Sequence, residues 1–331
     1  MKKKRPERSQ SSERQQRSER SQNSERQQRS ERPQSSERRQ RPDRKRNSDK
    51  PFSQKKSSSK PRKAKRARKG PNFSNRAKQE KYLREEIRLN KFIAHAGFCS
   101  RRDADEYIEA GKVKINGEVV TELGTKVTTD DKVEVDGQRV SLEPFVYILL
   151  NKGKDTISTT DDEKDRNTVM DAIEDATGYR VYPVGRLDRN TMGLLLLTND
   201  GDLAHRLMHP SYKVKKTYEV ETDRILTDEE LSEMVQGITL EDGPIQPTKI
   251  SRSGYKPNIV IITVFEGRNH LIRRMIAYFG ADVKRLKRIR YAGLNDKDMR
   301  VGRWRYLKQK EINDLRKLVK LDTLDFNKEG A

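Results

Sequence analysis

From Lys2 to Pro51 the chain carries no aliphatic, aromatic or sulfur-bearing side chain apart from its proline rings. Ordering a backbone costs roughly 1–2 kcal/mol per residue, and a segment with nothing to bury cannot offset that cost. Any fold is therefore confined to the rest of the 331 residues, and we expect residues 1–86 to form a disordered tail. Within it Ser-Glu-Arg recurs every six residues, starting at Ser12, Ser18, Ser24, Ser30 and Ser36. Six is neither a helical nor a strand period, and no apolar seam accompanies it, so the repeat reads as low complexity.

Charge follows the same division. Met1 to Gly70 holds 27 basic and 8 acidic residues, a net of +19, whereas the remaining residues hold 46 and 43. The basicity belongs to the tail, including the purely basic stretch 61–70, and the body is nearly neutral. A cationic tail suits a polyanion through phosphate charge and not base identity. A near-neutral body argues against a protein that compacts DNA by wrapping it.

The single cysteine, Cys99, rules out an internal disulfide or a thiolate zinc cluster and reads as a small core residue. Met1-Lys2-Lys3-Lys4 is not followed by the apolar run of a signal peptide. No stretch nears the roughly 20 apolar residues of a membrane span. We expect a soluble, cytoplasmic monomer with no membrane partner. His95, His205 and His209 show no ligand spacing with cysteine or acid, so no metal and no other cofactor is expected.

Residues 87–140 read as two helices followed by a small hairpin-rich sheet. Leu89, Phe92 and Ile93 have helical spacing, Ser100 and Asp103 form a capping-box start, and Asn116-Gly117 is a strong hairpin turn. The module resembles the S-four RNA-binding domain through Arg88-Leu-Asn-Lys-Phe-Ile-Ala94, Ser100-Arg-Arg-Asp-Ala-Asp105 and Val113-Lys-Ile-Asn-Gly-Glu-Val119. That resemblance implies RNA contact by Arg101, Arg102 and Lys112, with Lys91 and Lys114 nearby.

Residues 145–308 mix strands and helices without parallel βαβ periodicity, which predicts an α+β domain with a mainly antiparallel sheet. Strands are expected over 146–151, 181–184, 194–198, 217–221 and 259–265, and helices over 202–208, 228–235 and 270–279. Residues 309–331 are expected to add a C-terminal helix, over 311–319, and a frayed end. In Val184-Gly185-Arg186-Leu187-Asp188-Arg189 two arginines flank one carboxylate, and Gly185 and Gly193 bracket a tight loop. Leu194 to Leu197 need a buried strand, so the loop sits against the core. A carboxylate near guanidinium groups stays ionised, as a nucleophile or base requires. On these residues alone, a structural salt bridge is at least as good a reading.

The segment Gly185-Arg-Leu-Asp188 with Thr191-Met-Gly-Leu-Leu-Leu-Leu-Thr-Asn-Asp-Gly201 resembles the catalytic motif of pseudouridine synthases, the ribosomal small-subunit uridine isomerase branch and its large-subunit relatives. The similarity runs from about Ile87 to Leu307 and omits the tail. It implies isomerisation of a uridine in ribosomal RNA, free or in pre-ribosomal particles, with Asp188 as the essential aspartate. It also implies Tyr218, in Lys215-Lys-Thr-Tyr218, as the active-site tyrosine against the target base. Arg273, in Glu266-Gly-Arg-Asn-His-Leu-Ile-Arg-Arg-Met275, corresponds to the basic residue that pairs with the aspartate. Arg186, Arg189, Arg268 and Arg274 are expected to contact RNA. Leu271 stands where the branch usually has glutamine, and His270 reads as a positioning or surface residue. The order of domains and the basic extension favour large-subunit RNA. The alternative is a non-catalytic RNA-binding ribosome assembly factor. A glycosidase would need a second carboxylate, and none is marked.

Overall fold

The structure, a computed structural model, describes residues 86–324. Apart from Glu86, the tail expected over 1–86, with its repeat and basic stretch, lies outside the described residues, as do 325–331.

A short strand β1 (Ile87–Arg88) leads into α1 (Leu89–His95) and α2 (Arg101–Glu109). Helix α2 starts where Ser100 and Asp103 satisfy each other's backbone amides, as the sequence predicts. Strands β2 (Val113–Ile115), β3 (Glu118–Val120), β4 (Lys126–Val127), β5 (Val133–Val135) and β6 (Gln138–Val140) follow. Four of them form the antiparallel sheet β3-β2-β5-β6, and β4 pairs with β1. Leu89, Phe92, Ile93, Ala104, Ile108 and four valines close this small core.

The second part is built on a nine-stranded sheet. In chain order its elements are β7 (Tyr147–Lys152), β8 (Tyr182–Pro183), β9 (Met192–Thr198), α3 (Gly201–Met208), β10 (Lys216–Thr222) and α4 (Asp228–Gln236). They continue with the hairpin β11 (Ile238–Leu240) and β12 (Gly243–Ile245), then β13 (Lys249–Arg252), β14 (Ile259–Val264) and α5 (Leu271–Tyr278). The last are β15 (Val283–Tyr291), β16 (Leu294–Asn295), β17 (Trp304–Tyr306) and α6 (Gln309–Leu318). The strand order is β13-β14-β10-β15-β9-β7-β17, with β8 on β9 and β16 on β15. Among these pairings only β15 with β9 is parallel.

Both faces of the centre are covered, which is why β9 reads as an uninterrupted apolar run. Leu195 and Leu197 enter one core with Ile148, Leu150 and the inner residues of α5. Leu194 and Leu196 enter the other with Tyr147, Leu149 and the inner residues of α3 and α6. A strand buried on both sides loses alternation and becomes a hydrophobic run.

Strand β15, longest in the sheet, was not among the expected elements. The C-terminal helix also does more than end the chain. Ile312, Leu315, Val319, Leu321 and Leu324 pack into the second core, and buried Arg316 reaches Asp200 at 2.6 Å. Asp200 also accepts from the Tyr147 hydroxyl and caps α3 through the Leu203 amide. A buried ion pair of this kind needs such added hydrogen bonds to offset its desolvation.

The small module meets the sheet domain through His95, whose ring stacks on Phe145 at 4.8 Å and 11°. Lys91 pairs with Asp202 at 2.8 Å, and Arg180 donates to the Cys99 carbonyl. Burial, with help from Lys91, lowers the His95 pKa to about 4. A folded pKa below the unfolded one means that acid favours the unfolded chain, so this stability is lost as pH falls from about 6.5 to 4. His95→Phe keeps the stack and removes the titration. Between pH 7 and 5 the wild type should lose about 2 kcal/mol more than the variant in parallel denaturant titrations. Equal losses would show that His95 is not held neutral.

Among the described residues no helix is long and apolar enough to cross a membrane.

Candidate active site

Asp188 lies in the loop that enters β9, and both of its neighbours are fixed through their backbone. The Ser158 hydroxyl accepts from the Leu187 amide at 3.2 Å and donates to the Leu187 carbonyl at 3.0 Å. On the other side, buried Lys152 donates to the Arg189 carbonyl at 3.1 Å and to the carbonyls of Gly153 and Thr156. Burial lowers the Lys152 pKa to about 8, opposed by the negative charges of Asp188 and Asp155. The lysine thus ties the segment after β7 to the Asp188 loop. The loop closes on itself as the Thr191 amide donates to the Asp188 carbonyl at 3.0 Å.

With its backbone held, the Asp188 side chain remains half-exposed. Its Oδ2 accepts from the Thr191 hydroxyl at 3.3 Å, and its Oδ1 lies 3.6 Å from His270 Nε2. Leu187 turns inward, 5% exposed, into the core that also holds Tyr218, Leu271 and Ile272. Tyr218 sits in β10, opposite Ile262 of β14 and Arg288 of β15. Helix α5 carries Arg273 on its first turn and follows His270 directly. The Asp188 carboxylate and the start of α5 therefore meet, while Tyr218 shares with Leu187 the core beneath the loop.

Several expected contacts differ. Arg273 does not meet Asp188: its Nη1 donates to the Val283 carbonyl at 3.3 Å. Among the described residues the basic group within ion-pair distance of Asp188 is His270. Arg189 turns from Asp188 to Asp155 at 2.5 Å, because Asp155 follows the strand end that Lys152 anchors. Arg186 is exposed.

Of the expected RNA contacts, Arg101 and Arg102 are exposed on the first turn of α2, and Lys112 and Lys114 are exposed at and beside β2. Lys112 lies over the Tyr107 ring. Lys91 is committed to Asp202. Arg268 and Arg274 both pair with Asp242 at the β11–β12 turn, at 3.0 and 2.7 Å, and Arg268 also pairs with Glu266. These three basic groups are spent on joining elements of the fold.

Sequence reasoning did not single out Lys152, Ser158 or Thr191. Thr191 was within reach, since it belongs to the quoted motif three residues past Asp188. Lys152 and Ser158 gave no signal: a lysine ending an apolar strand and a loop serine look ordinary until the fold brings them to the Asp188 loop. Among the described residues no group of three or more His, Cys, Asp and Glu is placed to hold a metal ion.

Comparison with known proteins gives concordant results. Residues 146–278 match the family model described as RNA pseudouridylate synthase, and residues 87–133 match the S4 domain. The chain is 46% identical over 236 residues to ribosomal large subunit pseudouridine synthase B of Bacillus subtilis (strain 168), covering 70% of this chain and 96% of that protein. It is 37% identical over 236 residues to the dual-specificity RNA pseudouridine synthase RluF of Escherichia coli (strain K12), covering 70% and 79%. A solved structure titled as a pseudouridylate synthase matches with a TM-score of 0.50 and 31% identity, over 69% of this chain and 99% of that one.

Proposed function

The chain belongs to the RNA pseudouridine synthase family, and we propose that it isomerises a uridine of large-subunit ribosomal RNA with Asp188 as the reacting carboxylate. The observation that carries the assignment of Asp188 is its mounting. The residues before and after it are fixed by Ser158 and Lys152, while the carboxylate itself stays accessible beside the start of α5. A group that served only as a salt bridge would need no such backbone clamp. The large-subunit assignment rests on the Bacillus subtilis relative and on its near full-length coverage.

In the reaction the bond from ribose to the base nitrogen breaks and a bond to a ring carbon forms. The proton on that carbon leaves and the freed nitrogen gains one, so composition is unchanged. The uridine must leave its stack to reach Asp188. Tyr218 would lie against the extruded base. Asp188 promotes cleavage, and Thr191 and Lys152 keep its loop fixed. Proximity of this sort supplies much of an enzyme's advantage because the reacting atoms need not be brought together during the step. In this reading Arg273, on the first turn of α5, would leave the Val283 carbonyl to join the site when RNA binds. The small module adds RNA affinity through the exposed Arg101, Arg102, Lys112 and Lys114.

The direct test is a map of pseudouridines in ribosomal RNA from cells with and without the gene. One large-subunit position should lose its modification in the deletion strain, and purified enzyme should restore it on the transcribed RNA or on pre-ribosomal particles. Loss confined to small-subunit or transfer RNA would refute the substrate assignment.

A second expectation concerns the tail. Its charge should add affinity without selectivity, since each phosphate contact steepens the salt dependence of binding. Deleting residues 1–70 should flatten the dependence of log affinity on log salt and leave the modified position unchanged. Modification of a different uridine by the truncated enzyme would contradict this.

A further inference from the structure

Three helices of this protein start in the ordinary way. Ser100, Asp200 and Thr227 precede α2, α3 and α4 with φ near −75°, and each side chain accepts from an amide of its first turn. Helix α5 starts differently. His270 stands at its cap with φ 48° and ψ 26°, and its side chain makes no capping hydrogen bond. A non-glycine residue in the left-handed region costs on the order of 1 kcal/mol or more and forgoes about another when the cap bond is missing. What the turn achieves is direction: the imidazole reaches Asp188 Oδ1. Thr191 takes the other oxygen, Oδ2.

Resting on the reading of Asp188 as the reacting group, we propose that His270 is a positioning residue of the isomerisation, fixing the orientation of the Asp188 carboxylate through Oδ1 while Thr191 fixes Oδ2. The loop that carries it is well held. The His270 carbonyl accepts from the Arg274 amide at 3.0 Å, Arg274 Nε donates to the Asn269 carbonyl, and Arg268 is fixed to Glu266 and Asp242. Of the charged groups on the neighbouring segments, Lys152 spends its three protons on carbonyls, Arg189 and Asp155 pair with each other, and Arg273 donates to Val283. None of these holds the carboxylate oxygens.

At 3.6 Å the contact is longer than a hydrogen bond, and the two side chains are 54% and 41% exposed. Such an open pair contributes little to folding. It gains strength when bound RNA displaces water and lowers the local dielectric constant, and catalytic hydrogen bonds tighten in the substrate complex. The effect of His270 therefore belongs in the rate of the bound complex, not in stability or RNA affinity.

The full-length chain provides the test, with transcribed large-subunit ribosomal RNA as the substrate. His270→Gly relieves the left-handed strain and removes the ring. His270→Asn favours the same backbone but is too short to reach Asp188. His270→Gln carries an amide donor to about the reach of the imidazole. Melting temperature, RNA affinity and single-turnover rate would be measured for each, with Asp188→Asn as reference. The Gly and Asn variants should melt at or above the wild type and bind RNA within about twofold of it. Their rate should fall roughly 10–100-fold, the scale on which a small misplacement of a catalytic group acts, and the Gln variant should recover most of the loss. A Gly variant as fast as the wild type, a loss appearing wholly in affinity, or a Gln variant as slow as Gly would overturn the role of His270. If Asp188→Asn is inactive while His270→Gly is unimpaired, only the positioning role fails; if Asp188→Asn itself turns over, the reading of Asp188 fails and this role with it.

Discussion

Gly193→Ala should cost this protein about 3–5 kcal/mol, a third or more of the stability of a typical domain. Gly193 has φ 104°, and a Cβ added there would lie 2.2 Å from the Arg288 carbonyl oxygen and 2.7 Å from its amide nitrogen. Both are backbone atoms of the adjacent strand, so no side-chain rotation relieves the clash. Overpacking of roughly 1–3 kcal/mol adds to a backbone strain of similar size. The position matters more than the number. The parallel pairs Lys287↔Met192 and Arg288↔Gly193 join β15 to β9, and they are where the two halves of the large sheet meet. Asp188 enters from the β9 side, whereas Tyr218, His270 and Arg273 come from the β10, β14 and α5 side. Separating β9 from β15 separates the site. We expect the variant to show a lower denaturant midpoint and isomerisation lost beyond what its folded fraction explains. A midpoint shift worth less than about 1 kcal/mol would show that the strands can part locally at little cost.

Much of the fold was legible because its signals are local. The reciprocal cap at Ser100 and Asp103, the Asn116-Gly117 turn and the apolar runs of β7 and β9 depend only on neighbours in sequence. Strand β15 was not legible. Val283, Leu286 and Ile289 are spaced by three, which mimics a helix, and basic residues fill the gaps. The strand tolerates this because its pairing with β10 shifts register between Thr217 and Tyr218 and again between Glu221 and Thr222. Those irregularities break the alternation a strand would otherwise show. Arg288, a β15 residue buried against β9, satisfies Nε on the Leu194 carbonyl and lies 4.5 Å from the centre of the Tyr291 ring. No sequence pattern marks such an arginine as a core residue.

The site divides along the same line. Asp188, Tyr218 and the start of α5 were singled out through motifs, and all three belong to the domain built on the large sheet. The pairings were not legible, since they depend on side-chain direction and on partners far along the chain. Arg189 meets Asp155, 34 positions away, and Arg268 and Arg274 meet Asp242. His270 took the place expected of Arg273 beside Asp188 because a left-handed backbone turns its ring. Periodicity carries no information on that choice.

Asp188→Asn should leave a folded, RNA-binding protein whose isomerisation is at least ~10⁴-fold slower, equivalent to about 5.5 kcal/mol of barrier. The two halves of that expectation come from different observations. Stability should hardly change because the carboxylate is 41% exposed and its partners are one neutral hydroxyl and one open histidine. Exposed pairs of this kind are worth roughly 0–1 kcal/mol, and the asparagine amide oxygen still accepts from Thr191. Affinity should persist because the basic groups that face solvent, among them Arg101, Arg102, Lys112, Lys114 and Arg186, are untouched. The rate must fall because asparagine fills the same space without a group that attacks or accepts a proton. Its loss therefore removes transition-state stabilisation and spares ground-state binding. Melting temperature, RNA affinity and single-turnover rate on one preparation separate these effects. If Asp188 only braced its loop, activity would decline in step with stability, and the backbone anchors at Ser158 and Lys152 would already make that decline small. A folded Asp188→Asn enzyme within about tenfold of the wild-type rate, a barrier change of only ~1.4 kcal/mol, would show that the reacting carboxylate lies elsewhere.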